Sequence, residues 1–385
     1  MKQFIYTFLI AAFLLLANAC TEATIFAGGG GDDGKGGAEE GEVPLSVKNL
    51  GLSVEVESRS IATGGPAADA GTNPNPLTKV GLCVTKKEES GAVGFYDSGN
   101  TSTQFVYNAA ASPAAVWEPA AGQEALLLSS VKGTVYAYVP AEKSVSLSGT
   151  LNVPLMSNVE VLDQQEFKFT APVAETTEAT GSIEWDIDQD DYLYCKVPTE
   201  VDRWSPAVSL TMYHALAKVS FRVVEKEGGT AFAGCRVKKV VLKSSGGLKK
   251  SATATLNLST GELGDTMVGT DELSFTAAGT GTDDMRVIGT GVSEPTDVAG
   301  VPIQAFGLVI PVTGVDVTLE LTLEDDRVFT MSPAGDTDVP GAFSVNWEKG
   351  NNYIYNIGMS PRGIEIANVV VAGWNEGGTT EVPME

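Results

Sequence analysis

The chain has 385 residues, 43% apolar and 19% charged, and its 49 acidic against 25 basic residues leave a formal charge of −24 at pH 7. Such a surface repels phosphate backbones, because nucleic-acid affinity depends on Lys and Arg displacing condensed counterions, so nucleic acid is not an expected partner. The acidity reads instead as solubility outside the cell.

The first residues are Met1 and Lys2, followed by the apolar run Phe4 to Leu16 and then Ala17-Asn18-Ala19-Cys20. A positive start, a short hydrophobic stretch and small residues before a cleavage point describe a secretory signal peptide over residues 1–19, too short for a membrane span. Cys20 resembles the lipobox cysteine of bacterial lipoproteins, whose thiol is lipidated (palmitate) and becomes the new N-terminus. No later segment has the uninterrupted apolar length of a transmembrane helix, which leaves the acyl anchor as the expected membrane attachment. Residues 20–42 include the run Gly28 to Gly37, too polar and glycine-rich to repay the entropy of ordering, and read as a flexible tether.

Patterned sequence resumes at Val43. Leu52, Val54 and Val56 alternate with Ser53, Glu55 and Glu57, which predicts a strand with Leu52, Val54 and Val56 on its apolar face. Arg59 follows, in a Ser58-Arg59-Ser60 loop leading to Gly64-Gly65-Pro66, and is the only arginine before Arg203. It is an exposed site for an arginine-specific protease, or else a solvated turn residue.

Short runs rich in Val, Ile, Thr and aromatics then predict strands at Lys79 to Thr85, Gly133 to Val139, Glu166 to Thr170, Val208 to Val224, Arg236 to Leu242, Ala252 to Leu258, Val301 to Ile310, Val315 to Leu323 and Asn351 to Ile357. Val315 to Leu323 alternates cleanly, and helical periods are scarce. The expected fold class is all-β, two antiparallel β-sandwiches in tandem. Glu225-Lys226-Glu227-Gly228-Gly229 breaks the pattern and places the division there, giving domains over 43–225 and 226–385.

Few residues offer chemistry. Cys83, Cys195 and Cys235 allow at most one disulfide, lack any CxxC pair, and read as small buried hydrophobes. The one histidine, His214, lies beside an apolar run, where a packed ring is the commoner role than a catalytic base. Asp186 to Asp191 begins like a calcium loop. The pattern then fails, since Asp191 stands where the turn needs Gly and Val197 where the closing Glu belongs, leaving a solvated acidic loop or a noncanonical calcium site. Gly279-Thr280-Gly281 and Gly289-Thr290-Gly291 read as turns. No cofactor, no metal site and no catalytic residue is expected.

Four segments occur in a recognisable order: Val135-Tyr136-Ala137-Tyr138-Val139-Pro140, Tyr213 to Phe221, Trp347-Glu348-Lys349-Gly350-Asn351-Asn352-Tyr353-Ile354-Tyr355, and Ile364 to Trp374. With the lipobox, they resemble the fimbrillin-like lipoproteins of Bacteroidetes, the subunits of type V pili. The resemblance implies Greek-key, transthyretin-like sandwiches, export to the outer membrane, a cut after an arginine behind the first strand, and a groove then filled by a C-terminal strand of a neighbouring subunit. For this chain it implies processing between Arg59 and Ser60, excision of the segment 43–59, and head-to-tail polymerisation with other fimbrial subunits. A structural or adhesive, non-enzymatic role at the cell surface follows.

The residues fit such a scheme. A donor must be extended and apolar on alternate positions, and Ile364 with Ile366, then Val369 with Val371, supply that face, with a change of parity between the pairs that predicts a bulge. Two other readings stand beside it. The tryptophans Trp117, Trp185, Trp204, Trp347 and Trp374 leave room for a surface glycan-binding lipoprotein acting as an uncut monomer, and a hydrolase would require carboxylates gathered in a cleft.

Overall fold

The computed structural model describes residues 41–52, 77–88, 91–111, 114–149, 152–170, 184–226, 229–264, 266–279, 281, 284–291, 298, 301–331, 341–373 and 379–382, and no α-helix occurs among them. The first strands are β1 (Val43–Pro44), β2 (Ser46–Leu52), β3 (Lys79–Lys87), β4 (Val93–Phe95), β5 (Thr103–Asn108), β6 (Val116–Pro119), β7 (Leu127–Leu128) and β8 (Gly133–Val139). There follow β9 (Val145–Leu147), β10 (Pro154–Val161), β11 (Gln164–Thr170), β12 (Glu184–Ile187), β13 (Leu193–Cys195), β14 (Thr199–Val201), β15 (Ala207–His214) and β16 (Ala217–Glu225). The last are β17 (Val237–Asn257), β18 (Val268–Ala277), β19 (Ala305–Val309), β20 (Val312–Leu323), β21 (Val328–Thr330), β22 (Phe343–Trp347), β23 (Asn351–Ser360), β24 (Gly363–Gly373) and β25 (Thr379–Val382).

One sheet runs in the order β2-β15-β13-β8-β3-β5-β6, with β14 on β8 and β4 on β3. A second runs β12-β11-β18-β17-β10-β9 and carries β20 on β17, with β21 and β22 on β20; a third runs β19-β16-β23-β24-β25. Most pairs are antiparallel, as expected, and three are parallel: β2 with β15, β11 with β18, and β16 with β23.

Alternation decides which core each strand serves. On β8, Val135 and Ala137 enter a first core with Leu82, Phe105 and Leu210, while Tyr136 and Tyr138 on the opposite face join Cys83 and Met156 in a second, larger core. A strand buried on both faces is therefore continuous in apolar character, and β8 begins and ends where the residue pattern predicts. The second core lies between the other two sheets, where Phe221 of β16 stacks on Tyr355 of β23 at 5.6 Å and meets Phe275 of β18 at 5.7 Å. Gly307 permits that close approach, since a Cβ there would stand 2.0 Å from the Phe275 ring.

Several expectations are corrected by the pairing. Val208 to Val224 is two strands, because the chain bends at Ala215-Leu216 and passes from the first sheet (β15) into the third (β16). Conversely, the expected strands at Arg236 to Leu242 and Ala252 to Leu258 are parts of the single strand β17, which absorbs Ser244 to Gly247 as an irregularity opposite β18. Hydrogen bonding also runs across the expected division at 225/226. β10 pairs with β17, β11 with β18, and β16 with β19 and β23.

Candidate assembly site

The first long strand is an edge strand. Among the described residues β2 pairs only with β15, in parallel register from Ser46 opposite Ala207 to Leu52 opposite Met212, with one irregularity after Val208. Its other side lies against β6, the far end of the same sheet, so β2 fills the seam at which that sheet nearly closes on itself. The segment before it is held by the amide of Leu45 donating to Leu126 O (2.8 Å), by Ser46 N donating to Pro206 O (2.9 Å), and by the short β1–β7 pairing of Val43 with Leu128 and Pro44 with Leu127.

Leu45, Val47 and Leu50 are buried in the first core, and Leu52 packs against it half-buried. Full burial of a Leu or Val side chain is worth about 1.5–3 kcal/mol, so these three contribute roughly 4.5–9 kcal/mol. Taking the segment away would also unpair the β15 edge, whose own Val208, Leu210 and Met212 face the same core. The apolar face of the strand thus begins at Leu45, earlier than the expected Leu52, Val54 and Val56. Val54, Val56, the candidate processing pair Arg59 and Ser60, and the candidate lipid-bearing Cys20 lie outside the described residues.

The candidate donor residues occupy β24, an inner strand. It pairs antiparallel with β23 from Asn351 opposite Gly373 to Ser360 opposite Gly363, and on its other side with β25 from Ala372 opposite Thr379 to Val369 opposite Val382. Ile364 and Val369 are buried in the second core, with Ile366 and Val371 packed against it. The bulge expected from the change of parity falls at Ala367, because Asn356 opposes Asn368 while the next residue, Ile357, opposes Ile366. Asn356 Nδ2 donates to Asn368 Oδ1 at 2.6 Å beside it.

The directions of these strands set the ends of the molecule's two edges. β15 enters β16 at Ala215-Leu216, so its Ala207 end, where β2 begins, is the end remote from β16; eight residues at about 3.3 Å each separate the two. β25 runs in the same sense as β16 and β23, so the chain heads away from the β15–β16 junction as it approaches its C-terminus.

The remaining candidate residues are dispersed. His214 is buried, with Nδ1 3.0 Å from Asp191 Oδ2. The other carboxylates of the acidic loop turn to separate partners: Asp188 Oδ1 accepts from Glu166 N at 2.8 Å, and Asp190 pairs with Lys143 at 3.4 Å. Burial lifts the Asp188 carboxyl above its ordinary 3.8, assisted by the charge of Glu166. Among the described residues no three His, Cys, Asp or Glu side chains gather as a metal site would need. Cys83 and Cys195 are buried and Cys235 half-buried, all three as free thiols, and burial pushes the Cys83 thiol upward.

Trp117 and Trp347 are core residues, the latter donating from Nε1 to Tyr355 Oη at 2.7 Å. Trp204 is 66% exposed. Trp374 and the Trp185 side chain lie outside the described residues. A groove of about 570 Å³ opens beside the β15–β16 bend, with Ile310, Val312 and Trp347 among its walls and the Glu262–Lys349 ion pair at its rim.

A model of the fimbrillin-like family matches residues 68–374. The chain belongs to the fimbrillin-like family. As a fimbrillin-like protein it is a fimbrial or adhesive subunit of the cell surface, and the family is of a structural type. Solved structures similar to it include a cell-adhesion candidate from Bacteroides uniformis (15% identity, 88% of this chain and 100% of that one, TM-score 0.45). A fimbrial protein from Bacteroides vulgatus matches at 12% identity over 77% of this chain and 92% of its own, with a TM-score of 0.41. The tip fimbrial protein Mfa3 from Porphyromonas gingivalis matches at 12% identity over 84% and 99%, with a TM-score of 0.33. No curated relative matches the chain.

Proposed function

We propose that this fimbrillin-like subunit is exported as a lipoprotein anchored through Cys20, cut between Arg59 and Ser60, and polymerised by donor-strand exchange. The observation that carries the reading is the position of β2: among the described residues an edge strand near their start, joined to the sheet by one ladder, whose side chains complete a core otherwise built from Leu77 onward. Excising the segment up to Arg59 leaves an apolar slot between β15 and β6 with unpaired backbone groups on the β15 edge. Water is a poor occupant of such a slot, and an added strand restores both the ladder and the buried surface.

The donor comes from the C-terminal region. β24 is bonded on both sides and supplies Ile364 and Val369 to its own core, so its withdrawal would open a second defect. The segment beyond Gly373, which includes the edge strand β25, is freed by breaking one short ladder and is the part available to a neighbour. A slot in one molecule filled by the tail of the next is a heterologous, non-closing contact, which builds filaments.

The test is Arg59→Ala in the native host. This variant is exported and lipidated as wild type is, and fibres carrying it are absent. Normal fibres from Arg59→Ala would overturn the reading.

A further inference from the structure

We propose that Trp204, with Leu127 and Val131, forms a rim at the mouth of the slot on which the body of the donating subunit, a second copy of this chain, docks. The inference rests on the slot reading above and adds a surface to it.

Trp204 lies in the turn between β14 and β15, whose backbone is held by hydrogen bonds. Asp202 Oδ1 accepts from Trp204 N (3.0 Å) and Ser205 N (2.8 Å), and Asp202 O accepts from Ser205 N at 3.1 Å. The turn is fastened to its neighbour by Arg203 N donating to Ser129 O at 2.9 Å. Ser129 is two residues from Leu127, 50% exposed, and two from Val131, 47% exposed. That neighbouring loop is held in turn by the Tyr96 hydroxyl, which donates to Val131 O at 2.8 Å and accepts from Ser129 N at 3.0 Å. Three large apolar side chains thus stand exposed around one hydrogen-bonded junction. An exposed indole on a braced turn among aliphatic neighbours has the composition of an interface anchor.

Its place in the fold names the occupant. Two residues after Trp204, Pro206 O accepts from Ser46 N, the first rung of the β2 seam, and Leu127 opposes Pro44 within the segment that is excised. The rim is therefore continuous with the slot at the end remote from β16. The opposite end, at Met212, leads into the chain's own β16 through Ala215-Leu216. A donor whose body must stay outside the acceptor enters at the Trp204 end and runs parallel to β15, in the direction β2 takes. The residues that join a donor strand to its body then lie across Trp204. In this chain that joining segment follows Gly373 and carries Glu376 with no basic residue, facing a turn that holds Arg203.

The experiment compares polymerisation of the mature wild type, Trp204→Ala and Trp204→Phe after cutting by an arginine-specific protease, followed by sedimentation and electron microscopy, with thermal melting of each uncut chain. Trp204→Ala is expected to melt and to be cut as wild type while polymerising at least tenfold more slowly, and Trp204→Phe to recover most of the rate. Equal polymerisation of wild type and Trp204→Ala overturns the rim and leaves the slot standing. Cut wild type that stays monomeric overturns the slot reading and the rim with it. Loss of binding to a glycan array by Trp204→Ala with polymerisation unchanged assigns the indole to sugar instead, and also overturns the rim.

Discussion

Leu50 stands directly opposite Leu210 in the parallel ladder between β2 and β15, and both side chains are buried in the same core. Half of that contact belongs to a segment proposed to leave the protein, so the core is complete before processing and incomplete after it. Leu50→Ala should lower the stability of the uncut chain by about 2–5 kcal/mol, the usual result of emptying a buried leucine site. The fragment beginning at Ser60 no longer contains the position, and its polymers should be as stable as those from wild type. Urea unfolding of the precursor and of the polymer reads both halves; an unchanged precursor would contradict the assignment of Leu50 to the core.

The outer edge of β19 is closed by a side chain. Gln165 Nε2 donates to Leu308 O at 2.6 Å and Gln165 Oε1 accepts from Leu308 N at 2.9 Å, so one buried amide does for Leu308 what a neighbouring strand would do. Gln304 treats Val223 in the same way, accepting from its N–H at 2.8 Å. Gln165→Leu keeps the volume and strands both backbone groups, each worth about 1–3 kcal/mol when buried without a partner. A loss of roughly 2–6 kcal/mol in urea unfolding is expected, and a loss under about 0.5 kcal/mol would show that the amide is dispensable.

Acid should weaken the fold partly through Asp163. Burial pushes its carboxyl upward, but the ion pair with Lys250 at 2.6 Å and the Thr270 hydroxyl at 3.2 Å outweigh it and hold the pKa below the ordinary 3.8. A carboxylate whose folded pKa is depressed contributes stability fully above its unfolded value, and the contribution is lost as pH falls through the folded one. The melting-temperature gap between wild type and Asp163→Asn should therefore be constant above about pH 5 and narrow below about pH 4. A gap that widens on acidification would reverse the sign.

Strands read well from sequence where alternation is flanked by clear punctuation. β8 begins at Gly133 and ends before Pro140, and β20 alternates from Val315 to Leu323. The passage from β15 to β16 was hidden because Ala215 and Leu216 are buried and apolar like their neighbours, so nothing in residue type marks the bend. Ser244-Ser245-Gly246-Gly247 has turn composition and is spanned by one strand, since β18 and β20 hold β17 in line on both sides.

At the assembly site, Pro44 and the pair Lys48-Asn49 blur the alternation of Leu45, Val47 and Leu50, while Leu52, Val54 and Val56 show the cleaner pattern. The irregularity after Val208, opposite that stretch, is what lets Val47 and Leu50 both point inward. Trp204 was legible only as one tryptophan among five; its exposure follows from the Asp202 turn, a local cap that residue spacing does not reveal. The Gln165–Leu308 closure joins positions 143 residues apart and leaves no local signature at all.

The central claim is that residues ahead of Ser60 are absent from the working fibre. N-terminal sequencing of subunits sheared from cells and purified as fibres tests it directly. The account predicts a single start at Ser60, and fibre-resident chains that still begin at an acylated Cys20 would contradict it.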